Sequence, residues 1–232
     1  MFLLKSIDKI IKLVYYIIKK RKGEKKMNIY EHIDYTLLKP TATHDDIWNL
    51  CEKAKEKGCA SVCIPSCFVP FVSDHFPTLT VCTVVGFPLG NSSMAAKVAE
   101  AREAVYYGAS EIDMVINIAY LKNGQYYAVQ KEIEEVKNAI GDRVLKVIIE
   151  TCYLDEEEIA IATRLVDESS ADFVKTSTGF GTRGASFRDI IVMKSVITNG
   201  TKIKASGGIR TTEDMVKYIV LGCDRIGASK LP

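Results

Sequence analysis

The sequence predicts an α/β fold, a closed (β/α)8 barrel of the TIM type, over residues 27–232. Three observations support it. Short β-branched apolar runs alternate with segments whose apolar residues recur every three or four positions, the pattern of parallel strands joined by helices. Eight such runs occur, and eight strands with right-handed crossovers favour a closed barrel over an open sheet. Polar and glycine-rich residues follow one run after another at its C-terminal end, where barrel enzymes build their sites.

The first strand is Ile33–Thr36, with Asp34 and Thr36 on one side of its pleat. Thr43 followed by Asp45 and Asp46 reads as an N-cap with first-turn acids, and Ile47, Leu50, Cys51 and Ala54 form the apolar stripe of a helix closed by Gly58. Ala60–Ile64 is the second strand. Leu79–Val85 is the third and runs into Gly86-Phe87-Pro88-Leu89-Gly90. Val98, Ala101 and Val105 mark a helix ended by Gly108. In the fourth strand, Glu111–Ile116, alternation puts Glu111, Asp113 and Val115 on one face, with Asn117 following. A helix over Tyr127–Ile140, closed by Gly141, leads to strand five, Leu145–Ile149, which ends in Glu150-Thr151. A helix over Glu156–Val166 precedes strand six, Phe173–Lys175, and one over Phe187–Ile197, closed by Gly200, precedes strand seven, Ile203–Ala205. Thr212 with Glu213 and Asp214 caps the last helix, Thr212–Leu221; Gly222 and strand eight, Arg225–Ile226, follow. His32 precedes strand one, and His44 and His75 fall in loop-like stretches, none with a metal-spaced partner. Trp48 and the pair Tyr106-Tyr107 fall in helices, where packing is expected.

The net charge of +2 hides an asymmetry. Residues 1–26 carry nine Lys/Arg and two Asp/Glu, and the remainder carries 22 against 27. The body is therefore mildly acidic, which argues against a nucleic-acid surface. The seven cysteines read as reduced thiols of a cytoplasmic protein. Cys59, Cys63 and Cys67 are spaced as if on one helix face, but Val62–Ile64 reads as strand and Pro65 follows, so no metal is expected. In residues 1–26 the longest apolar run, Leu13–Ile18, is far short of the ~20 residues that span a bilayer. Three readings of this segment stand: an upstream extension of a chain that starts at Met27, a basic amphipathic helix that touches membrane or a partner, or a segment packed on the body.

Two lysines carry the chemistry. Lys175 lies in Asp172-Phe173-Val174-Lys175-Thr176-Ser177-Thr178-Gly179, and Lys204 in Lys202-Ile203-Lys204-Ala205-Ser206-Gly207-Gly208-Ile209-Arg210. Each ends an apolar strand and meets small, polar residues. A buried unpaired ammonium is costly; two on neighbouring strands repel, and one tends to lose its proton. A neutral amine in a pocket is what Schiff-base chemistry with a carbonyl requires. Asp113 on the inner face of strand four is the anion such lysines need, whether as a structural ion pair or as an acid/base. Gly207 and Gly208 after strand seven, with Gly227 and Ser229 after strand eight, expose backbone N–H groups where barrel folds hold phosphate, although a tight turn alone would use the same glycines. Gly179–Gly184 reads as a mobile loop that either covers substrate or only connects elements.

Five segments in order resemble the deoxyribose-phosphate aldolase family: Val84–Gly90, Glu111–Asn117, Val147–Thr151, Asp172–Gly181 and Lys204–Arg210. The resemblance runs from about Ile33 to Ser229. It implies a class I aldolase with no metal or cofactor, which cleaves 2-deoxy-D-ribose 5-phosphate to D-glyceraldehyde 3-phosphate and acetaldehyde and runs the reverse. Lys175 matches the Schiff-base lysine, Lys204 the second lysine and Asp113 the acid/base aspartate. Asp34, Thr36, Thr178, Gly179, Gly207, Gly208, Gly227 and Ser229 are the expected substrate contacts. The expected partners are the sugar phosphate and acetaldehyde, with a homodimer as the assembly considered.

The sequence departs from the family at Pro65-Ser66, where Asn-Pro or Tyr-Pro is usual, and at its end, Lys230-Leu231-Pro232. The resemblance implies a last outer helix beyond that point, so a barrel without it is expected. Exposed apolar side chains on strand eight would then forfeit on the order of 1.5–3 kcal/mol each. A weakly active or inactive barrel that only binds sugar phosphate is the alternative reading.

Overall fold

Eight parallel strands close on themselves in chain order, each hydrogen-bonded to the next and the last to the first. They are β1 (Ile33–Thr36), β2 (Ser61–Ile64), β3 (Val81–Val85), β4 (Glu111–Val115), β5 (Val144–Ile148), β6 (Phe173–Lys175), β7 (Lys202–Ser206) and β8 (Arg225–Ala228). The computed structural model describes residues 28–232. The readings of residues 1–26 therefore lie outside the described residues. No helix among those described is long and apolar enough to cross a membrane.

Among the described residues the eight α-helices are α1 (His44–Lys57), α2 (Val69–His75), α3 (Met94–Tyr106), α4 (Ile118–Lys122), α5 (Tyr126–Ile140), α6 (Glu156–Asp167), α7 (Phe187–Val196) and α8 (Thr212–Val220). Their starts follow the capping chemistry in the sequence. Thr43 and Asp46 form a reciprocal capping box on α1, as do Asp155 and Glu158 on α6 and Ser186 and Asp189 on α7. The cap of α8 is Thr211, not Thr212, because its hydroxyl lies three residues before the Asp214 N–H that it accepts. α2 and α4 were not foreseen; at seven and five residues they are too short to show a periodic stripe. His44 and His75, expected in loops, are the first residue of α1 and the last of α2. Tyr106 does not pack into the core: it is 83% exposed, with its ring edge-on to Tyr107.

The core lies between the outer faces of the strands and the helices, with Ile33, Ile112, Met114, Leu145, Val147, Val174 and Ala205 fully buried. β8 is not left uncovered as expected. Ile226 and Ala228 are buried, and the chain end folds back so that the Tyr30 hydroxyl donates to the Pro232 carbonyl at 3.2 Å. Outside the barrel, Lys97 on α3 donates to Glu132 on α5 and to the Val115 carbonyl, both at 2.7 Å. Glu132 also accepts the Asn117 N–H, so this buried pair fixes the end of β4.

Candidate active site

The strand registers decide which side chains meet inside the barrel. Asp113 pairs with Lys146, Lys175 with Lys204, and Lys204 with Arg225. With Asp34 on β1 and Glu111 on β4, these side chains form one continuous ionic cluster. Lys175 Nζ and Lys204 Nζ both donate to Asp113 Oδ2, at 2.6 and 2.7 Å. Lys146 Nζ donates to Asp113 Oδ1 at 3.0 Å and to Glu111 at 2.5 Å. Lys204 Nζ also lies 2.5 Å from Asp34 Oδ2, and Arg225 bridges Asp34 and Glu111 from the far end, at 2.6 and 3.2 Å.

Burial alone would raise the carboxyls and lower the lysines, but opposite charges at contact distance win. Burial pushes Asp113 up, and the ammoniums of Lys146, Lys175 and Lys204 overcome it, holding the carboxyl well below the usual range. Asp34 is likewise lowered against its burial, by Lys204, Lys146 and Arg225. Lys146 and Lys204 are both raised: burial disfavours their charge, and Asp113 leads the carboxylates that restore it. Both lysines are therefore held as cations, and Asp113 as an anion.

Four basic side chains (Lys146, Lys175, Lys204, Arg225) thus face three carboxylates (Asp34, Glu111, Asp113). The surplus cation suits an anionic ligand and disfavours a metal ion. The one group with metal-binding donors among the described residues is Cys63, Cys82 and Asp113, whose ligand atoms lie within 4.8 Å of one another. Asp113 is already committed to three ammoniums there, so this set fits a cation poorly.

Only one of the predicted trio opens to the outside. Lys175 lines a cavity of about 260 Å³ at the C-terminal mouth of the barrel, whereas Asp113, Lys204 and Asp34 lie beneath it with no accessible surface. Thr36, Thr178 and Gly179 line one part of that cavity, and Gly207, Gly208, Gly227 and Ser229 the other. Lys39 and Arg210, two exposed cations that the sequence reading passed over, also line it.

The glycine turn is required by geometry. Gly207 and Gly208 have φ of 82° and 74°, a region side chains disfavour. A Cβ on Gly184 would lie 2.0 Å from the Gly207 carbonyl oxygen, so the loop after β6 seats directly on this turn. That loop is anchored from β5. Glu150, in the left-handed region at φ 50°, accepts both the backbone N–H and the hydroxyl of Thr178. The Thr178 hydroxyl in turn accepts the Phe180 N–H at 3.0 Å. Thr178 is thus a wall residue whose hydroxyl is already engaged. Phe180 stands at the mouth with its ring edge-on to Phe87, 5.3 Å between centroids. Thr36 bonds back to the Asp34 carbonyl at 2.8 Å.

Sequence reasoning missed Lys146 and Arg225. Lys146 is the central residue of the apolar strand Val144-Leu145-Lys146-Val147-Ile148, a signal of the same kind as Lys175 and Lys204, but no glycine-rich loop follows it directly.

Comparison with known proteins agrees with the barrel fold. A family model described as DeoC/LacD family aldolase matches residues 30–229. A deoxyribose-phosphate aldolase of Thermoanaerobacter sp. (strain X514) is 53% identical over 208 residues, covering 88% of this chain and 93% of that protein. A solved structure described as QR15, an aldolase, superposes with a TM-score of 0.85 at 40% identity, covering 88% of this chain and 92% of the other. A deoxyribose phosphate aldolase from Aeropyrum pernix, described as having a unique tetrameric structure, gives a TM-score of 0.79 at 31% identity over 87% of this chain and 86% of its own. The chain belongs to the DeoC/LacD family of aldolases.

Proposed function

We propose that this protein is a deoxyribose-phosphate aldolase of class I, in which Lys175 is the nucleophile. One observation carries the assignment of roles: of the two lysines bonded to Asp113 Oδ2, Lys175 faces the cavity and Lys204 does not. Attack requires the free amine, and Asp113, 2.6 Å from Lys175 Nζ, is placed to take its proton. The amine adds to the aldehyde carbon of open-chain 2-deoxy-D-ribose 5-phosphate, and loss of water leaves an iminium. A base, Asp113 acting through a water, removes the proton of the C3 hydroxyl, and the C2–C3 bond breaks. Its electron pair flows to the iminium, giving an enamine and D-glyceraldehyde 3-phosphate. Protonation of the enamine and hydrolysis release acetaldehyde and restore the amine. Lys204 holds Asp113 ionised and oriented, and Asp34 fixes Lys204 from the opposite side.

The phosphate fits the far end of the cavity. The turn at Gly207 and Gly208, with Gly227 and Ser229, offers backbone and hydroxyl donors there, and Lys39 and Arg210 supply charge. The test is a coupled assay for triose phosphate released from 2-deoxy-D-ribose 5-phosphate. The reading expects turnover that a chelator leaves unchanged. A folded protein without turnover, or one acting only on a different sugar phosphate, would overturn it.

A further inference from the structure

Cys63 on β2 and Cys82 on β3 are register partners on adjacent strands. Both are free thiols with no accessible surface. Neighbouring strands lie about 4.8 Å apart, inside the roughly 4.4–6.8 Å between Cα atoms that a disulfide spans. The two sulfurs and an Asp113 carboxylate oxygen all lie within 4.8 Å of one another. The Cys82 thiol donates to Asp113 Oδ1 at 3.1 Å, and its sulfur accepts Lys146 Nζ at 3.4 Å. The mechanism proposed above uses neither thiol.

We propose that Cys63 and Cys82 are a redox pair that hydrogen peroxide converts to a cross-strand disulfide, reversibly inactivating the enzyme. The two thiols are unequal. Contact with Cys82 lowers Cys63 against its burial and the charge of Asp113, helped by the charges of Lys204 and Lys175, while burial pushes up Cys82, whose own proton is committed to Asp113 Oδ1. Cys63 is therefore the attacking sulfur. Its thiolate attacks one peroxide oxygen, the O–O bond breaks, and the released hydroxide takes a proton to become water, leaving a sulfenic acid on Cys63. The Cys82 sulfur then attacks the Cys63 sulfur. The S–O bond breaks, and the hydroxyl departs as water with the Cys82 proton. Two thiols have lost two electrons and two protons, and one peroxide has become two waters. The cavity at Lys175 is lined by Leu38, which packs against the cluster of Cys63 and Cys82, so hydrogen peroxide, smaller than the aldehyde the cavity admits, comes within one side chain of the pair.

The bond would disturb the catalytic carboxylate. A disulfide sulfur carries no proton, so Asp113 Oδ1 loses the Cys82 donor, and Lys146 loses an acceptor whose sulfur is drawn toward β2. Misplacing a reacting group by a fraction of an ångström to an ångström costs roughly ten- to a hundredfold in rate.

Hydrogen peroxide added to the reduced full-length protein tests this. Trypsin leaves both cysteines in one peptide, so unreduced mapping uses chymotrypsin, which cuts between them at Phe68 or Phe71. The expected result is a Cys63–Cys82 cross-link, located by fragmentation, that rises as activity falls roughly ten- to a hundredfold and disappears with dithiothreitol as activity returns. Cys82→Ala, or Cys63→Ala should the first fail to fold, is expected to keep its own starting activity under the same dose. Oxidation confined to other cysteines such as the exposed Cys67, a cross-link with unchanged activity, or variants inactivated at the wild-type rate would each overturn the proposal. The mapping does not depend on the aldolase reading, so a failed activity assay and a missing cross-link are separate results.

Discussion

Lys175 and Lys204 place their ammonium nitrogens on the same oxygen, Asp113 Oδ2, at 2.6 and 2.7 Å. One carboxylate oxygen thus separates a lysine that lines the cavity from one with no accessible surface. In the proposed roles these two chemically identical side chains divide the labour: the cavity-lining lysine reacts, and the fully buried one helps to hold Asp113 in its charged form.

Replacing Lys204 with Met removes that charge while leaving Lys175 in contact with the cavity. Asp113 and Asp34 both lose their bond to it, and acid/base assistance of this kind is worth roughly 10²–10⁴-fold. The loss is expected in kcat, with KM changed little, because Lys204 does not line the cavity. Steady-state kinetics check the split.

Lys146→Met is expected to destabilise the fold by about 3–5 kcal/mol, since it strands Glu111 and Asp113 in the barrel without their nearest shared cation. Adding Glu111→Gln should recover part of that loss, measured by urea unfolding. A readout that stability alone would not move is the acid limb of kcat/KM. Lys146 is one of the ammoniums that lower Asp113, so the limb shifts to higher pH in the variant.

Lys39→Ala is expected to raise KM for the 5-phosphate substrate by roughly three- to tenfold, the range for an exposed charge on an anion. Unphosphorylated 2-deoxyribose should be turned over by the variant as by wild type. An equal effect on both substrates would place Lys39 outside the phosphate end of the cavity.

The ion cluster also sets the pH window of stability. Asp113 and Asp34 are lowered in the folded state, so their contribution is present above the ordinary carboxylate value of 3.8 and is lost as pH falls through their folded values. Lys146 and Lys204 are raised, so theirs is present below the ordinary lysine value of 10.5 and is lost as pH rises through their folded values. Thermal melts should therefore show no loss of the cluster's contribution between about pH 5 and 9. Asp113→Asn should flatten part of the acid limb.

The barrel was legible because its strands are short, β-branched and regularly spaced. Phe173–Lys175 and Ile33–Thr36 carry the expected bounds, and the others differ by one to two residues at one end or, in β5 and β7, by one residue at each end. The trio was legible because a lysine at the end of an apolar strand is an anomaly with few explanations. What stayed hidden had weaker local signals. Lys146 sits mid-strand, where only closure of the barrel shows that it points at Asp113. Arg225 opens β8, and its partners Asp34 and Glu111 are 191 and 114 residues away in sequence. Lys39 belongs to a loop whose place at the cavity depends on β1 and β8 being neighbours. The burial of Ile226 was missed along with the return of the chain end, since Tyr30 and Pro232, which meet in the fold, are 202 residues apart in sequence.

Borohydride reduction in the presence of acetaldehyde identifies the nucleophile, because it freezes the iminium on whichever lysine forms it. A single adduct on Lys175 is expected, absent from Lys175→Met and retained, more slowly formed, in Lys204→Met. An adduct on Lys204, or no adduct on a folded protein, would contradict it.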